Sequence, residues 1–351
     1  MIRRRIQQTF VLAIAAHIGA AAMTPSAHAA GLTLTGAGAG FGLSTAIGGY
    51  AYNTSNPVDY QFVSIGVNNA GLLVGDFGGN AYLFNDVDNQ TIANALSVPA
   101  PITGSASTIS LAMASAGGTL YGSLSGSSYY VLNQNGTIAS TLALTPPINS
   151  LFGMWTNPAN GHLISSVATG LIDIDPIAGT YTNVFTTTDQ LDGVTVSADG
   201  NYAYVADTTT SQVLGFDVLG AGYGTSTFSS STLGTGPDGM GVLAGTCRQA
   251  GDIVVNNNNG TIGLIDPSVA NSGQTVIANG GNRGDYASLD TNNGTLLLSQ
   301  NDQIARLQAP AGCSIGTVLT DAPEPASLAL LATALLALAT LIYRRRPNAR
   351  A

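Results

Sequence analysis

Apolar residues in this chain come in short runs, cut by glycine turns, and the runs recur on a long period. Six segments fall into register when each is aligned on a turn glycine followed by two short strands. Their anchors are Gly71, Gly118, Gly161, Gly200, Gly251 and Gly294, stepping by 47, 43, 39, 51 and 43 residues. Each anchor follows another apolar run, starting at Phe62, Ile109, Leu151, Gly193, Gly239 and Tyr286. A fourth, outer strand can be read after most repeats, as at residues 91–96, 137–142 and 274–278. Four short strands in roughly 45 residues is the pattern of a propeller blade. The Asn-Gly, Asp-Gly and Gly-Gly turns are those that tight hairpins require. The pattern predicts an all-β chain, a six-bladed β-propeller over residues 50–320. Residues 32–52 and 313–319 are expected to share one blade and close the ring. A β-sandwich would be less regular, and solenoid rungs would be shorter.

The two ends carry a different signal. Arg3, Arg4 and Arg5 precede an apolar run at 10–22 and a small-x-small triplet, Ala27-His28-Ala29. That order predicts a signal peptide over 1–29, read by the Sec export machinery and cut after Ala29, then a lead-in segment over 30–49. A retained N-terminal anchor is the alternative. At the other end, residues 326–343 are apolar except for Ser327, Thr340 and Tyr343. Eighteen residues at about 1.5 Å each make a single transmembrane helix of roughly 27 Å. A buried core helix would show a polar face, which this run lacks. Arg344, Arg345 and Arg346 would stay on the cytoplasmic side, leaving the body outside the cytoplasm.

Residues 321–351 resemble the PEP-CTERM sorting segment of Gram-negative bacteria. Pro323-Glu324-Pro325, the hydrophobic run and the arginine cluster stand in that family's order. The resemblance implies processing at Pro323, Glu324 and Pro325 by an exosortase-type enzyme. It also implies a host that secretes exopolysaccharide, which becomes a candidate partner. The chain would be anchored in the inner membrane before transfer to the cell surface. Within the body, Leu191-Asp-Gly-Val-Thr-Val-Ser-Ala-Asp-Gly-Asn-Tyr-Ala-Tyr-Val-Ala-Asp is similar to YVTN and NHL-type propeller repeats. Such repeats serve enzymes and binding scaffolds alike.

Composition narrows the chemistry. The chain has no Lys, and its body holds three arginines (Arg248, Arg283, Arg306) against eighteen aspartates, a net charge of −15. Such a surface repels nucleic acid and anionic lipid, so nucleic-acid binding is excluded. Two cysteines in an exported chain suggest a Cys247–Cys313 disulfide. In the entropic picture its long loop is worth roughly 4 kcal/mol; two buried thiols are the alternative.

Propeller enzymes of the lactonase kind typically hold a divalent ion through Glu, Asn and Asp, and those of the lyase kind rely on His and Glu. The body has no Glu, because the single one is Glu324, and its one His is His162. No Gly-x-Ser-x-Gly motif accompanies its serines, and two cysteines without a nearby His make no zinc site. Asp86 and Asp88, two apart, are the candidates for a calcium ion, the one cofactor considered. Asp173, Asp175 and Asp266 precede or sit at Ile-Asp-Pro strand ends and read as turn caps. Trp155, Tyr129, Tyr130, Tyr202 and Tyr204 are candidates for sugar stacking, or for core packing. The expectation is therefore a non-enzymatic binding or structural propeller of the cell surface or exopolysaccharide matrix, with no cofactor. The alternative is a metal-dependent lactonase or lyase. The end signals themselves predict a mature C-terminus near Pro323–Pro325, which C-terminal peptide mass spectrometry of surface fractions checks; an intact Arg344–Ala351 tail there contradicts it.

Overall fold

The six glycine-anchored repeats become six antiparallel sheets set around one axis. The computed structural model describes residues 31–50, 62–76, 81–96, 110–124 and 128–316. The signal segment with Ala27 and Ala29, the sorting residues Pro323, Glu324, Pro325, Arg344, Arg345 and Arg346, and the apolar run 326–343 lie outside them. Among the described residues no helix is long and apolar enough to cross a membrane.

The innermost strands of blades one to six are Phe62–Asn68, Ser110–Ala116, Ser150–Thr156, Leu191–Val196, Pro237–Gly245 and Gly284–Asp290. Each packs on the next, and the sixth packs back on the first. From each, antiparallel strands step outward in chain order. Second strands such as Gly71–Asp76, Leu163–Val167 and Thr295–Gln300 are buried along their whole length. Neighbouring blades cover both faces of these strands, so they read as continuous apolar runs rather than alternating ones.

Blade six is completed by Gly42–Gly48, which pairs with Gln303–Gln308. The N-terminal part of the domain thus supplies the outer strand of the last blade and closes the ring. The two terminal segments do share a blade as expected, but it is blade five and not the one that closes the ring. Thr33–Leu34 pairs with Thr275–Asn279 at the outer edge of blade five, and Cys313–Ile315 extends that blade from its innermost strand. A Cys247–Cys313 disulfide joins this last strand to blade five. Blade one differs too. Residues 91–96, read as its outer strand, form the two-residue strand Gln90–Thr91 and a 3-10 turn, Ile92–Asn94. Asn94 Oδ1 accepts from the Thr91 N–H at 2.8 Å, and this local bond turns the backbone out of extended form.

Arg306 seals the seam between blade six and blade one. Its guanidinium, nearly buried, donates to Asp86 Oδ1 at 2.6 Å, to Asp88 Oδ1 at 2.8 Å and to Asp290 Oδ2. Burial alone would lower its pKa, but the three carboxylates raise it. Asp290 is fully buried, and a carboxylate in that position costs several kcal/mol unless a cation faces it.

Candidate active site

Each innermost strand starts with an irregularity. The pairing register slips between Leu191 and Val194, between Pro237 and Met240, and between Gly284 and Ala287. A bulge re-aims one side chain out of the ladder, and in three consecutive blades that stretch contains an aspartate: Asp192, Asp238 and Asp285. The residue after the first two is glycine for a reason of space. A Cβ on Gly193 would lie 2.2 Å from the Asp238 carbonyl oxygen, and one on Gly239 would lie 2.3 Å from the Ala287 nitrogen. Glycine therefore lets adjacent innermost strands touch backbone to backbone, which brings the three carboxyls together.

The cluster is acidic and desolvated. Asp238 is fully buried, and its Oδ2 finds no donor among the described residues. Burial, then the charges of Asp192 and Asp285, push the Asp238 carboxyl well above the usual carboxylate range. Burial raises Asp192 to about 6, with the charge of Arg283 opposing. It raises Asp285 to about 7, with Arg283 opposing and Asp192 adding to the rise. Arg283 is exposed and stands over the group: its guanidinium is 3.8 Å from Asp285 Oδ2, and its Nε donates to Asn258 Oδ1 at 2.7 Å.

A tyrosine closes the channel beneath. Tyr286, the neighbour of Asp285, is buried, and its hydroxyl crosses the axis to blades two and three. It donates at 2.7 Å to Met113 O or at 3.0 Å to Met154 O, and accepts from the Met113 N–H at 3.0 Å. Its own N–H donates to Ser299 Oγ at 2.6 Å. Asn256 Nδ2 donates to Tyr286 O and Ser299 O, while Asn256 Oδ1 accepts from Gln300 Nε2 at 2.7 Å. At the opposite end of the innermost strands, Ser115, Trp155, Thr156, Val196 and Leu289 line a cavity of about 90 Å³.

The residues singled out from sequence lie elsewhere. Asp86 and Asp88 face Arg306, so their charge is already met by a guanidinium. His162 Nδ1 is 2.8 Å from Asp173 Oδ1 and its Nε2 is 3.8 Å from Asp175 Oδ2, at the outer strands of blade three. Asp175 and Asp266 cap their turns, accepting from the Ile177 and Ser268 N–H groups at 2.9 Å. Tyr129, Trp155 and Tyr204 are buried, and Tyr129 donates to Ser165 Oγ; Tyr202 is exposed. Sequence reading began the innermost runs at Gly193, Gly239 and Tyr286, each one residue past the carboxylate. The missed signal was an aspartate directly ahead of the run in three successive repeats.

No family model and no curated protein sequence matches the chain. Among solved structures it is similar to a gluconolactonase from Xanthomonas campestris, with TM-score 0.54 and 12% identity over 72% of this chain and 86% of that one. It is also similar to an auxiliary nutrient binding protein from Bacteroides thetaiotaomicron, with TM-score 0.53 and 12% identity over 76% of each chain. At this identity the likeness shows the six-bladed propeller fold. The expectation of a non-enzymatic scaffold is corrected here. It rested on the lack of Glu and His, whereas a solved structure that shares the fold is a gluconolactonase.

The raised carboxyls make stability depend on pH in a defined direction. The native state holds their protons more tightly than the unfolded chain, where Asp titrates near about 3.9. Their contribution is complete below that range and is lost as pH rises through about 6 to about 7. Asp175 and Asp199, held below the usual range, are already ionised in this window. Urea unfolding should therefore show stability falling between about pH 5 and about pH 8, by up to about 1.4 kcal/mol per pH unit for each proton lost. Asp238→Asn should flatten that slope; an equal slope in wild type and variant contradicts the assignment.

Proposed function

We propose that this protein is a hydrolase of small cyclic esters, a propeller of the lactonase type, acting at the Asp192–Asp238–Asp285 end of the channel. The observation that carries the reading is the convergence of three carboxyls and one guanidinium from three adjacent blades. Opening a lactone needs a base to activate water, an acid to protonate the leaving ring oxygen and a positive group for the oxyanion. Asp238, held well above the usual carboxylate range, would supply the acid, and Asp192 the base, two carboxyls whose environments set their acidities apart. Pairing with Arg283 keeps Asp285 from adding a second free charge. Below them, Tyr286 and the Asn256–Gln300 bonds hold the innermost strands of blades five and six in place, so the carboxyls are oriented before substrate arrives. The gluconolactonase with the same fold supports the choice of an ester ring over other acyl substrates.

We also propose that the enzyme works outside the cytoplasm, exported through the signal segment and sorted by the Pro323-Glu324-Pro325 tail. Products of ring opening would then form in the envelope or at the surface, where extracellular sugar acids and polysaccharide are the nearby chemistry.

Purified full-length protein should open glucono-1,5-lactone, followed by pH-stat, faster than buffer alone. Asp238→Asn should lower kcat/KM by about 10²- to 10⁴-fold, the range for loss of acid–base catalysis. Undiminished turnover in Asp238→Asn, or hydrolysis at the buffer rate by wild type across small five- and six-membered lactones, would contradict the reading.

A further inference from the structure

A larger cavity lies away from the carboxyls, in the groove between blades four and five at the other end of their innermost strands. Its volume is about 620 Å³, within the range that holds a small organic ligand. One wall is residues 242–245, the C-terminal end of the strand whose second residue is Asp238. The chain advances six residues from Asp238 to Ala244, roughly 20 Å of extended strand. A molecule in the groove therefore does not reach the carboxyl cluster. Tyr202 and Tyr204 are two apart on strand Tyr202–Asp207, so both rings project to one side of blade four. Tyr204 is buried as the floor, edge-on to Phe228 with ring centroids 6.3 Å apart. Gly215, its partner across the ladder, makes the room, because a Cβ there would lie 2.9 Å from the Tyr204 ring. Tyr202 stands at the mouth with 37% of its surface exposed. An exposed ring taken singly means little; this one lines a cavity whose polar groups are held in place. Ser197 Oγ donates to Asp199 Oδ1 at 2.6 Å, and Asn201 Nδ2 donates to Asp199 Oδ2 at 2.7 Å. A carboxylate oxygen accepts more than one hydrogen bond, so Asp199 can also receive a ligand hydroxyl. Among the described residues lining the groove, Asp199 is the one charged side chain, which disfavours an anion. The loop carrying Gly245 and Ala250 on the far wall is tied down by the Cys247–Cys313 disulfide.

We propose that this groove binds a neutral hexopyranose unit of a saccharide chain, its C–H face stacked on Tyr202 and a hydroxyl donated to Asp199. A pyranose is amphipathic in the same sense as the groove. Its C–H face suits an aromatic ring, and its rim of hydroxyls suits a fixed carboxylate and the hydroxyls of Ser197 and Ser268. The groove is a binding site separate from the lactone chemistry, and it does not depend on the cyclic-ester reading. It holds the protein on a glycan by one end of the propeller while the carboxyl end stays open.

The test is saturation-transfer NMR and calorimetry on the full-length protein with cellobiose, maltose and N,N′-diacetylchitobiose. At least one of these disaccharides should bind saturably, with saturation transferred most strongly to ring C–H protons. Tyr202→Ala should weaken that binding about tenfold. Tyr202→Phe, which keeps the ring, should retain it, and both variants should keep the wild-type melting temperature. Asp238→Asn should bind the same disaccharide with wild-type affinity, whether or not the protein opens lactones. No saturable binding of any of the three, or equal affinity in wild type and Tyr202→Ala, overturns the site. Loss of binding in Asp238→Asn places the sugar at the carboxyls and overturns the groove. Choline binding more tightly than every disaccharide, and lost in Tyr202→Ala, overturns the saccharide in favour of a cationic ligand.

Discussion

The hydroxyl of Tyr286 reaches across the propeller axis from blade six and bonds backbone groups of blades two and three. A ring of six sheets tends to leave a hole, and hydration of that hole would let the innermost strands relax apart. This one phenol satisfies a buried backbone N–H on the far side, together with one of two facing carbonyls. Left unpaired, each such group costs about 1–3 kcal/mol. The tie also fixes the strand that carries Asp285 one residue earlier. Burial of the neighbouring carboxyls raises their pKa values.

Ring closure has its own device at a different radius. The N-terminal strand Gly42–Gly48 completes blade six, and Arg306 binds carboxylates of blade six and of the segment after blade one. The chain spends one of its few body arginines on this seam and another, Arg283, at the channel mouth. With eighteen aspartates and so few cations, where the arginines sit decides which carboxylates face a guanidinium. Those beside Arg306 form a structural lock. Asp192, Asp238 and Asp285 share one guanidinium among three, which offsets only part of the rise that burial causes in their pKa values.

Much of the fold was legible because period is a one-dimensional signal. The glycine spacing and apolar runs located the innermost, second and third strands of all six blades, and tight-turn residues marked the hairpins. Closure was less legible. Whether residues 32–52 pair with blade five or blade six depends on which edge is open in three dimensions, and no local pattern records that. The 3-10 turn at Ile92–Asn94 was missed because an Asn–Thr side-chain bond outweighed an apolar alternation of strand type. The site was hidden for a different reason. Asp-Gly, or Gly-Asp at Asp285, is the usual composition of a turn, and only the stacking of three blades brings these three aspartates to one end of the innermost strands. An aspartate of ordinary acidity is a weaker acid–base candidate than Glu or His, and burial, which changes its acidity, is not written in the local sequence.

Carboxyl ¹³C NMR titration of Asp-labelled protein tests the central claim most directly, because it reads each aspartate's proton rather than a consequence of it. The account predicts Asp192 and Asp285 titrating near about 6 and about 7, with Asp238 above the ordinary range and coupled to Asp192. Asp175 should titrate below that range in the same spectrum. If every aspartate of the body instead titrated together at or below about 4, the three carboxyls would not form a desolvated cluster, and the acid–base site built on them would not exist.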